Sequence, residues 1–222
     1  MKRYSRAELV AFLRHIDSLL TERAVLDVIG GAAAVLKYGA RAPTKDIDTW
    51  NRVPKAVRDA AAAVAAIGHG VPLAPAGVAE IPNDAELRFK TVSIGLKKLV
   101  VRVPDRYDLA LSKAIRGYDN DLQVIKEMHQ KKPFSLDRLV SLFETELDGM
   151  VTKDRRALRL NVAVLVATLF GTRRARRSPC AGEWPYRKST SADPDSSATG
   201  QSWTGGFFRG LAPLASSAGS TY

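Results

Sequence analysis

The order of helical and strand patterns in this chain predicts an α+β fold, a small mixed β-sheet with helices packed on it and a helical half after it. Two observations carry this prediction. Short β-branched or alternating runs are interleaved with amphipathic helical patterns up to residue 104, whereas only helical periodicity follows from 105 to 171. Beyond residue 171 the apolar residues recur at neither the spacing of a helix nor that of a strand. We therefore divide the chain into an α/β core (1–104), a helical subdomain packed on it (105–171) and a disordered, low-complexity basic tail (172–222).

The α/β core begins with a helix whose start is marked by a capping box. Ser5 and Glu8 have the required S-x-x-E spacing, and apolar residues then recur at helical spacing as far as Leu20. The elements expected after this helix are a strand at 25–29, a helix at 32–38 closed by Gly39, a strand at 46–50, a helix at 55–67 after Pro54, a loop at 68–84, and a hairpin of strands 86–94 and 99–103 that turns near Gly95.

The helical half and the tail differ sharply in composition. Helices are expected at 105–116, 119–130, 135–147 and 154–170. In the tail, Gly, Ser, Pro, Thr and Ala supply 31 of the 51 residues, which is too little apolar surface to offset the entropy of ordering. Its RRARR run at 173–177 is typical either of an arm that binds nucleic acid or an acidic partner, or of a solvated charge run after a helix. A shifted reading frame would also explain such a tail.

Composition and charge exclude several classes of protein. One cysteine among 222 residues rules out a disulfide framework and a cysteine-rich zinc site, so a cytoplasmic protein is expected. The longest apolar run, 160–170, is too short to span a membrane, and no apolar stretch near the N-terminus indicates a signal peptide. The net charge of +11 favours polyanionic partners. The tail contributes +4 of it, from seven basic and three acidic residues, and the rest of the chain +7.

The residues that carry chemistry lie in two short motifs fourteen residues apart. Gly30-Gly31 ends an apolar strand and precedes a helix, so backbone N–H groups and the helix dipole there suit a phosphate. In the second motif, Asp46 and Asp48 flank Ile47 on a strand, which places both carboxylates on one face about 7 Å apart. Such a pair attracts divalent cations. Phosphate donors next to paired carboxylates indicate metal-dependent phosphoryl or nucleotidyl transfer.

These motifs resemble the signature of the minimal nucleotidyltransferases of the DNA polymerase β superfamily, a Gly-[Gly/Ser] turn followed by D-h-D. The segment VIGGAAAVLKYGARAPTKDIDTW is especially similar to the AbiEii-like toxins of toxin–antitoxin and phage-defence systems, and Arg41 and Thr44 fit that pattern. Further on, RYDLALSKAIRGYDNDLQVI resembles the same group's D-L-x-x-x-K helix and the acidic element after it. Asp108 and Lys113 match the helix, and Asp121 matches the acidic element.

The resemblance, which covers about residues 5–170, implies a role for each matched residue. Gly30 and Gly31 would hold the triphosphate with help from Arg41 and Thr44, and Lys113 would neutralise phosphate. Asp121 would orient Lys113 or act as a base. Asp46 and Asp48 would bind Mg²⁺, with Glu86 on its strand as the candidate third carboxylate. Two departures stand out: Gly31 replaces a common Ser, and a further Asp near Gln123 or Val124 is missing.

The resemblance also implies the activity and its partners. We expect a nucleotidyltransferase with a two-metal Mg²⁺ site that transfers an NMP from an NTP to an acceptor hydroxyl on tRNA, another RNA or a protein. Its setting would be a toxin–antitoxin or phage-defence module with a separate antitoxin as partner, and no membrane would be involved. Two alternatives stay open, a catalytically degenerate binding or regulatory protein on the same fold and a basic nucleic-acid-binding module.

Overall fold

A computed structural model of the chain describes residues 2–76, 81–149 and 154–176. Helices and strands alternate in its first half and helices alone fill the second, as an α+β fold requires. The first half contains α1 (Arg6–Leu19), β1 (Ala24–Asp27), α2 (Gly30–Lys37), β2 (Ile47–Thr49), α3 (Lys55–Ala66), β3 (Leu73–Pro75), a 3₁₀ helix (Ala85–Arg88), β4 (Lys90–Thr91) and β5 (Leu99–Val103). The second contains α4 (Arg106–Arg116), α5 (Asp119–Lys131), α6 (Leu136–Glu146), α7 (Arg155–Phe170) and α8 (Thr172–Ala175).

The strands form a small mixed sheet in two parts. In the first part β5 lies between β1, to which it is parallel, and β4, to which it is antiparallel. In the second part β2 and β3 run parallel. A single antiparallel bridge between Val28 and Thr49 joins the two parts, and the N–H of Ile29 donates to the carbonyl of Asp48 at 2.9 Å. The end of β1 therefore lies directly against the strand that carries the D-h-D motif.

The first helix confirms its capping box. The Ser5 hydroxyl accepts from the N–H of Glu8, while the Glu8 carboxylate accepts from the N–H of Ser5 at 2.8 Å. The apolar stripe of α1 is buried, with Phe12, Leu13 and Ile16 at most 2% exposed. It packs against α2, α3 and β5. The helix thus covers the sheet near the Gly-Gly turn.

The helical half packs around α4. Helices α5, α6 and α7 all contact it, and α4 in turn contacts α2 in the first half. Its N-terminus is capped by Asp105, and Gly117 ends it in the left-handed conformation at φ 65°. Most of α4 is buried, charged side chains included. The described residues form one compact unit, in which α4 places its charged groups beside α2.

Three sequence predictions are wrong in detail. The expected loop at 68–84 contains β3, because Leu73–Pro75 pairs with β2 at the edge of the sheet, where a proline is tolerated. The expected strand at 86–94 begins with the 3₁₀ helix, and only Lys90–Thr91 pairs with β5. The predicted disordered tail begins one helix too early, since Thr172–Ala175 is helical and Ala175 is buried. Residues 177–222, with most of the predicted tail, lie outside the described residues.

The helices predicted for the second half are confirmed to within two residues at each end. The hairpin turn near Gly95 is confirmed as well, with Gly95 at φ 75°. Among the described residues, no helix combines the length and the apolar composition needed to cross a bilayer.

Candidate active site

The Gly-Gly turn is built against Asp48. Gly30 opens α2 with φ 64°, a conformation that side chains other than glycine rarely adopt. A Cβ atom at this position would lie 3.2 Å from Oδ2 of Asp48. Glycine at position 30 therefore allows both the positive φ of the turn and the close approach of the backbone to the Asp48 carboxylate.

Gly31 faces a hydroxyl instead of a carboxylate. A Cβ atom at position 31 would lie 2.8 Å from Oγ1 of Thr44, closer than real Cβ contacts. Thr44 is fixed by backbone pairing with Tyr4, and its hydroxyl donates to the carbonyl of Asp46 at 3.2 Å. A Ser side chain at 31 would compete with Thr44 for space. The Thr44 hydroxyl lies next to the turn where a Ser hydroxyl is absent.

Asp46 and Asp48 share one face of their strand, as the spacing predicts. Both are half-buried, whereas Ile47 and Thr49 between and after them are fully buried. Neither carboxylate forms a hydrogen bond or an ion pair with any described residue. Burial, and then the negative charge of Asp46, raise the pKa of Asp48. The negative charges of Asp46 and Asp48 therefore lie close together, and no positively charged side chain of the described residues is bonded to either carboxylate.

Two cations of α4 act on Asp48. Lys113 is 3% exposed and its Nζ lies 2.5 Å from Oδ1 of Asp121, which α5 contributes. Arg116, one turn further along α4, also bonds Asp121, at 3.0 Å. The charges of Arg116 and Lys113 oppose the rise in the pKa of Asp48, so both are close enough to act on it. Burial lowers the pKa of Lys113, and Asp121 partly offsets this.

Two predicted site residues, Arg41 and Glu86, form no hydrogen bond or ion pair with the carboxylate pair within the described chain. The Arg41 side chain is exposed, and only its backbone N–H is engaged, with the Glu127 carboxylate at 2.7 Å. Glu86 lies in the 3₁₀ helix, where its carboxylate accepts from Trp50 and Asn51 at 3.4 Å each. Among the described residues no group of three His, Cys, Asp or Glu could hold a metal ion. The structure thus does not support Glu86 as a third ligand beside Asp46 and Asp48.

Asp108 belongs to a separate cluster. Its side chain is fully buried and accepts two hydrogen bonds from Arg88, at 3.1 and 2.7 Å. The same guanidinium bonds Glu146 of α6 at 2.7 Å. Hydrogen bonding to Asp108 is the main cause of a raised pKa for Arg88, against the opposing effect of burial. Asp108 therefore ties the 3₁₀ helix to α4 and α6.

Sequence reasoning missed two residues at the site. Arg116 follows Lys113 by three positions, a spacing that places both on one face of a helix, and this signal was present. Trp50 follows Asp48 by two positions and is half-buried like Asp46 and Asp48, as alternation along a strand predicts. Its indole N–H donates to Glu86. The rim of the carboxylate face thus includes an aromatic ring.

The sequence that forms this arrangement matches a known family. A protein-family model described as "Nucleotidyltransferase of unknown function (DUF6036)" matches residues 7–166 of the sequence. This range includes every site residue named above. The chain belongs to this nucleotidyltransferase family. The comparison with curated proteins and the comparison with solved structures found no significant match.

The donor set of this nucleotidyltransferase fits a hard divalent cation. Two half-buried carboxylates without a protein cation are oxygen ligands of the kind that Mg²⁺ takes, with phosphate oxygens and water completing its shell. The open N–H groups at the start of α2 lie on the Asp48 side of this pair, since Gly30 approaches Oδ2. Asp46 and Asp48 are the residues that could hold the metal, and the Gly-Gly turn could hold a phosphate beside it.

Proposed function

We propose that the protein is an Mg²⁺-dependent nucleotidyltransferase that transfers an NMP from an NTP to an acceptor hydroxyl and releases pyrophosphate. One observation carries the proposal. The Asp46–Asp48 pair has no cationic partner among the described residues. Asp48 nevertheless lies against the glycine turn at the start of α2, and the charges of Arg116 and Lys113 oppose the rise in its pKa. Such a site is balanced by a metal and a polyphosphate.

The chain's own residues bind and orient the triphosphate. The N–H groups after Gly30 donate to phosphate oxygens, and the Thr44 hydroxyl, whose proton is donated to the Asp46 carbonyl, lies beside the turn. Lys113 and Arg116 neutralise the charge that develops on the departing pyrophosphate. Bound Mg²⁺, in a two-metal site, would neutralise phosphate charge and favour ionisation of the acceptor hydroxyl. In the transfer the acceptor oxygen bonds to the α-phosphorus, the bond from that phosphorus to the bridging oxygen breaks, and the acceptor proton leaves to solvent.

Asp121 acts in this scheme as a positioning residue. Its carboxylate is occupied by Lys113 at 2.5 Å and by Arg116 at 3.0 Å, so it has little capacity to accept a proton. Of the two roles that the resemblance offers, orienting Lys113 is the one these contacts favour. Losing the negative charge would leave Lys113 buried without a counterion.

The two alternatives have less support. A degenerate binding protein has no need for two adjacent carboxylates without partners, because such a pair destabilises the fold. A plain nucleic-acid-binding module predicts aromatic residues interleaved with basic ones on one surface, and the sequence of residues 1–171 shows no such stripe. For the biological setting, we propose the toxin–antitoxin or phage-defence role of the AbiEii-like proteins within the DNA polymerase β superfamily. The antitoxin partner and the tRNA, RNA or protein acceptor belong to that same proposal.

A label-transfer assay tests the proposed activity. The protein is incubated with each α-labelled NTP, Mg²⁺ and total RNA, with and without EDTA. Beside it stand Asp46→Asn/Asp48→Asn and a matched control, Glu22→Gln/Glu144→Gln, which removes two exposed carboxylates elsewhere. We expect label on RNA or protein with wild type and control only, and none with EDTA. No transfer with any nucleotide would contradict the activity, and transfer by the Asp46/Asp48 variant would contradict the site.

A further inference from the structure

A cavity of about 340 Å³ lies beside the strand that carries Asp48. One wall is β3, whose Ala74 pairs in register with Asp48 of β2. The other is α3 with the segment that leads into it. Paired residues on adjacent strands lie about 5 Å apart and point to the same face. The cavity wall is therefore one strand away from the carboxylate pair, and its volume is in the range of small-ligand sites.

The rim of the cavity is cationic. Arg52 and Arg58 line it, and no acidic residue does so among those described. Both side chains are exposed, and neither guanidinium has a hydrogen bond or ion pair within the described chain. The adjacent Asp59 is already bonded to Lys55 at 2.6 Å. Two unpaired guanidiniums at one cavity suit a phosphate, which guanidinium binds through two parallel hydrogen bonds.

The floor of the cavity is apolar and made of small side chains. Alanine at three positions leaves the space that larger residues would fill. The apolar lining residues that form this floor and its sides are Ala61, Ala62, Val71, Leu73, Ala74 and Pro75. A planar ring with limited polarity can lie on such a surface, whereas an extended polar chain would lose hydrogen bonds to water there. Phosphate at the rim and a ring on the floor together describe a nucleotide.

We propose that this cavity binds a phosphorylated nucleotide unit, its base on the alanine-rich floor and its phosphate on Arg52 and Arg58. The inference rests on the proposed function, which requires an acceptor held next to the bound NTP. Its position one strand from Asp48 makes it a subsite for that acceptor. The same chemistry is offered by a free mononucleotide and by the terminal nucleotide of an RNA.

Fluorescence anisotropy in EDTA tests the subsite without the metal site. The probes are labelled AMP, a labelled 5′-phosphorylated RNA tetranucleotide and a labelled phosphoserine peptide. The variants are Arg52→Ala/Arg58→Ala, which removes the rim charges, and Ala62→Phe, which fills the cavity without a charge change. The control Arg3→Ala/Arg23→Ala removes two other exposed arginines, and Asp46→Asn/Asp48→Asn removes the carboxylate pair. Circular dichroism confirms that each variant is folded.

We expect Arg52→Ala/Arg58→Ala and Ala62→Phe each to weaken nucleotide binding by about tenfold or more, the Arg3→Ala/Arg23→Ala control to leave it unchanged, and Asp46→Asn/Asp48→Asn to cause no weakening, because it removes only negative charge. If the tetranucleotide alone binds, the source is RNA, and if AMP binds as well, a mononucleotide suffices. The proposal is overturned if no nucleotide binds, if the control weakens binding equally, if only Asp46→Asn/Asp48→Asn weakens it, or if only the peptide depends on the arginines. None of these results bears on label transfer, which tests the proposed activity separately.

Discussion

Two clusters of charged groups in this protein differ in how completely they are neutralised. Around Arg88, the carboxylates of Asp108 and Glu146 are satisfied by one guanidinium at 2.7 Å. In β2 and directly before it, the carboxylates of Asp48 and Asp46 have no such partner within the described chain. The first cluster joins the 3₁₀ helix to two helices, so its charges stabilise the fold. The second cluster destabilises the fold until a ligand supplies positive charge, which is the behaviour of a functional site.

The largest expected effect is a loss of activity when one carboxylate of the Asp46–Asp48 pair is removed. Asp48→Asn should lower the transfer rate by about a thousandfold, because an interaction with the metal and the phosphates is lost. The melting temperature should stay constant or rise, since repulsion between Asp46 and Asp48 disappears. Label transfer and differential scanning calorimetry measure the two effects. A lower melting temperature would show that Asp48 has a structural role.

Removing the shared guanidinium of the paired cluster has the opposite signature. Arg88→Met should cost about 3 kcal/mol in the free energy of unfolding, because Asp108 would be left buried without a partner. Transfer activity per folded molecule should persist. Urea unfolding measures the loss, with Arg23→Met as the matched exposed control. A loss no larger than that of the control would mean that this cluster does not join the halves of the molecule.

The Gly31–Thr44 contact allows a double-mutant cycle at the edge of the site. Gly31→Ser should cost about 2 kcal/mol, because its Cβ would lie 2.8 Å from the Thr44 hydroxyl. Thr44→Ala should remove most of that cost, which gives a favourable coupling of about 1 kcal/mol or more in thermal unfolding. If the unfolding free-energy costs of the two substitutions simply add, the Thr44 hydroxyl is not the reason why position 31 is glycine.

The smallest expected effect is the loss of stability on replacing Asp148, which is bonded by two arginines of α7, Arg155 and Arg159. Hydrogen bonds from Arg159 and then Arg155 lower its pKa below the ordinary value. A lowered pKa stabilises the fold above the unfolded value of about 4, and that stability is lost as pH falls through the folded pKa. Because both arginines are partly solvent-exposed, Asp148→Asn should cost only about 1 kcal/mol at pH 7. In urea titrations the difference from wild type should shrink in acid, and a constant difference would rule out this charge effect.

Most of the fold, and the face that Asp46 and Asp48 share, could be predicted from local sequence signals. Capping boxes, glycine turns and helical periodicity are local, so the start of α1 and the limits of α4–α7 are confirmed. Alternation places Asp46 and Asp48 on one face correctly. These predictions needed no knowledge of distant contacts.

Two of the failures depend on distant partners. Leu73–Pro75 is a strand only because β2 offers it an edge, which its own composition does not indicate. Glu86 was assigned to a strand by alternation, but it lies in a 3₁₀ helix and its carboxylate accepts from Trp50 and Asn51, which are distant in the chain. The role of Asp108 is set by Arg88, twenty residues away in the chain. Ion-pair partners across elements cannot be read from periodicity.

The central claim is that a metal and a nucleotide complete the Asp46–Asp48 pair, and isothermal titration calorimetry tests it most directly. Each of the four non-hydrolysable NTP analogues is titrated with Mg²⁺ into wild type, Asp46→Asn/Asp48→Asn and the Glu22→Gln/Glu144→Gln control. We expect wild type and control to bind at least one analogue, and the Asp46/Asp48 variant to bind it about a hundredfold more weakly. Equal affinity for all three proteins would contradict the account.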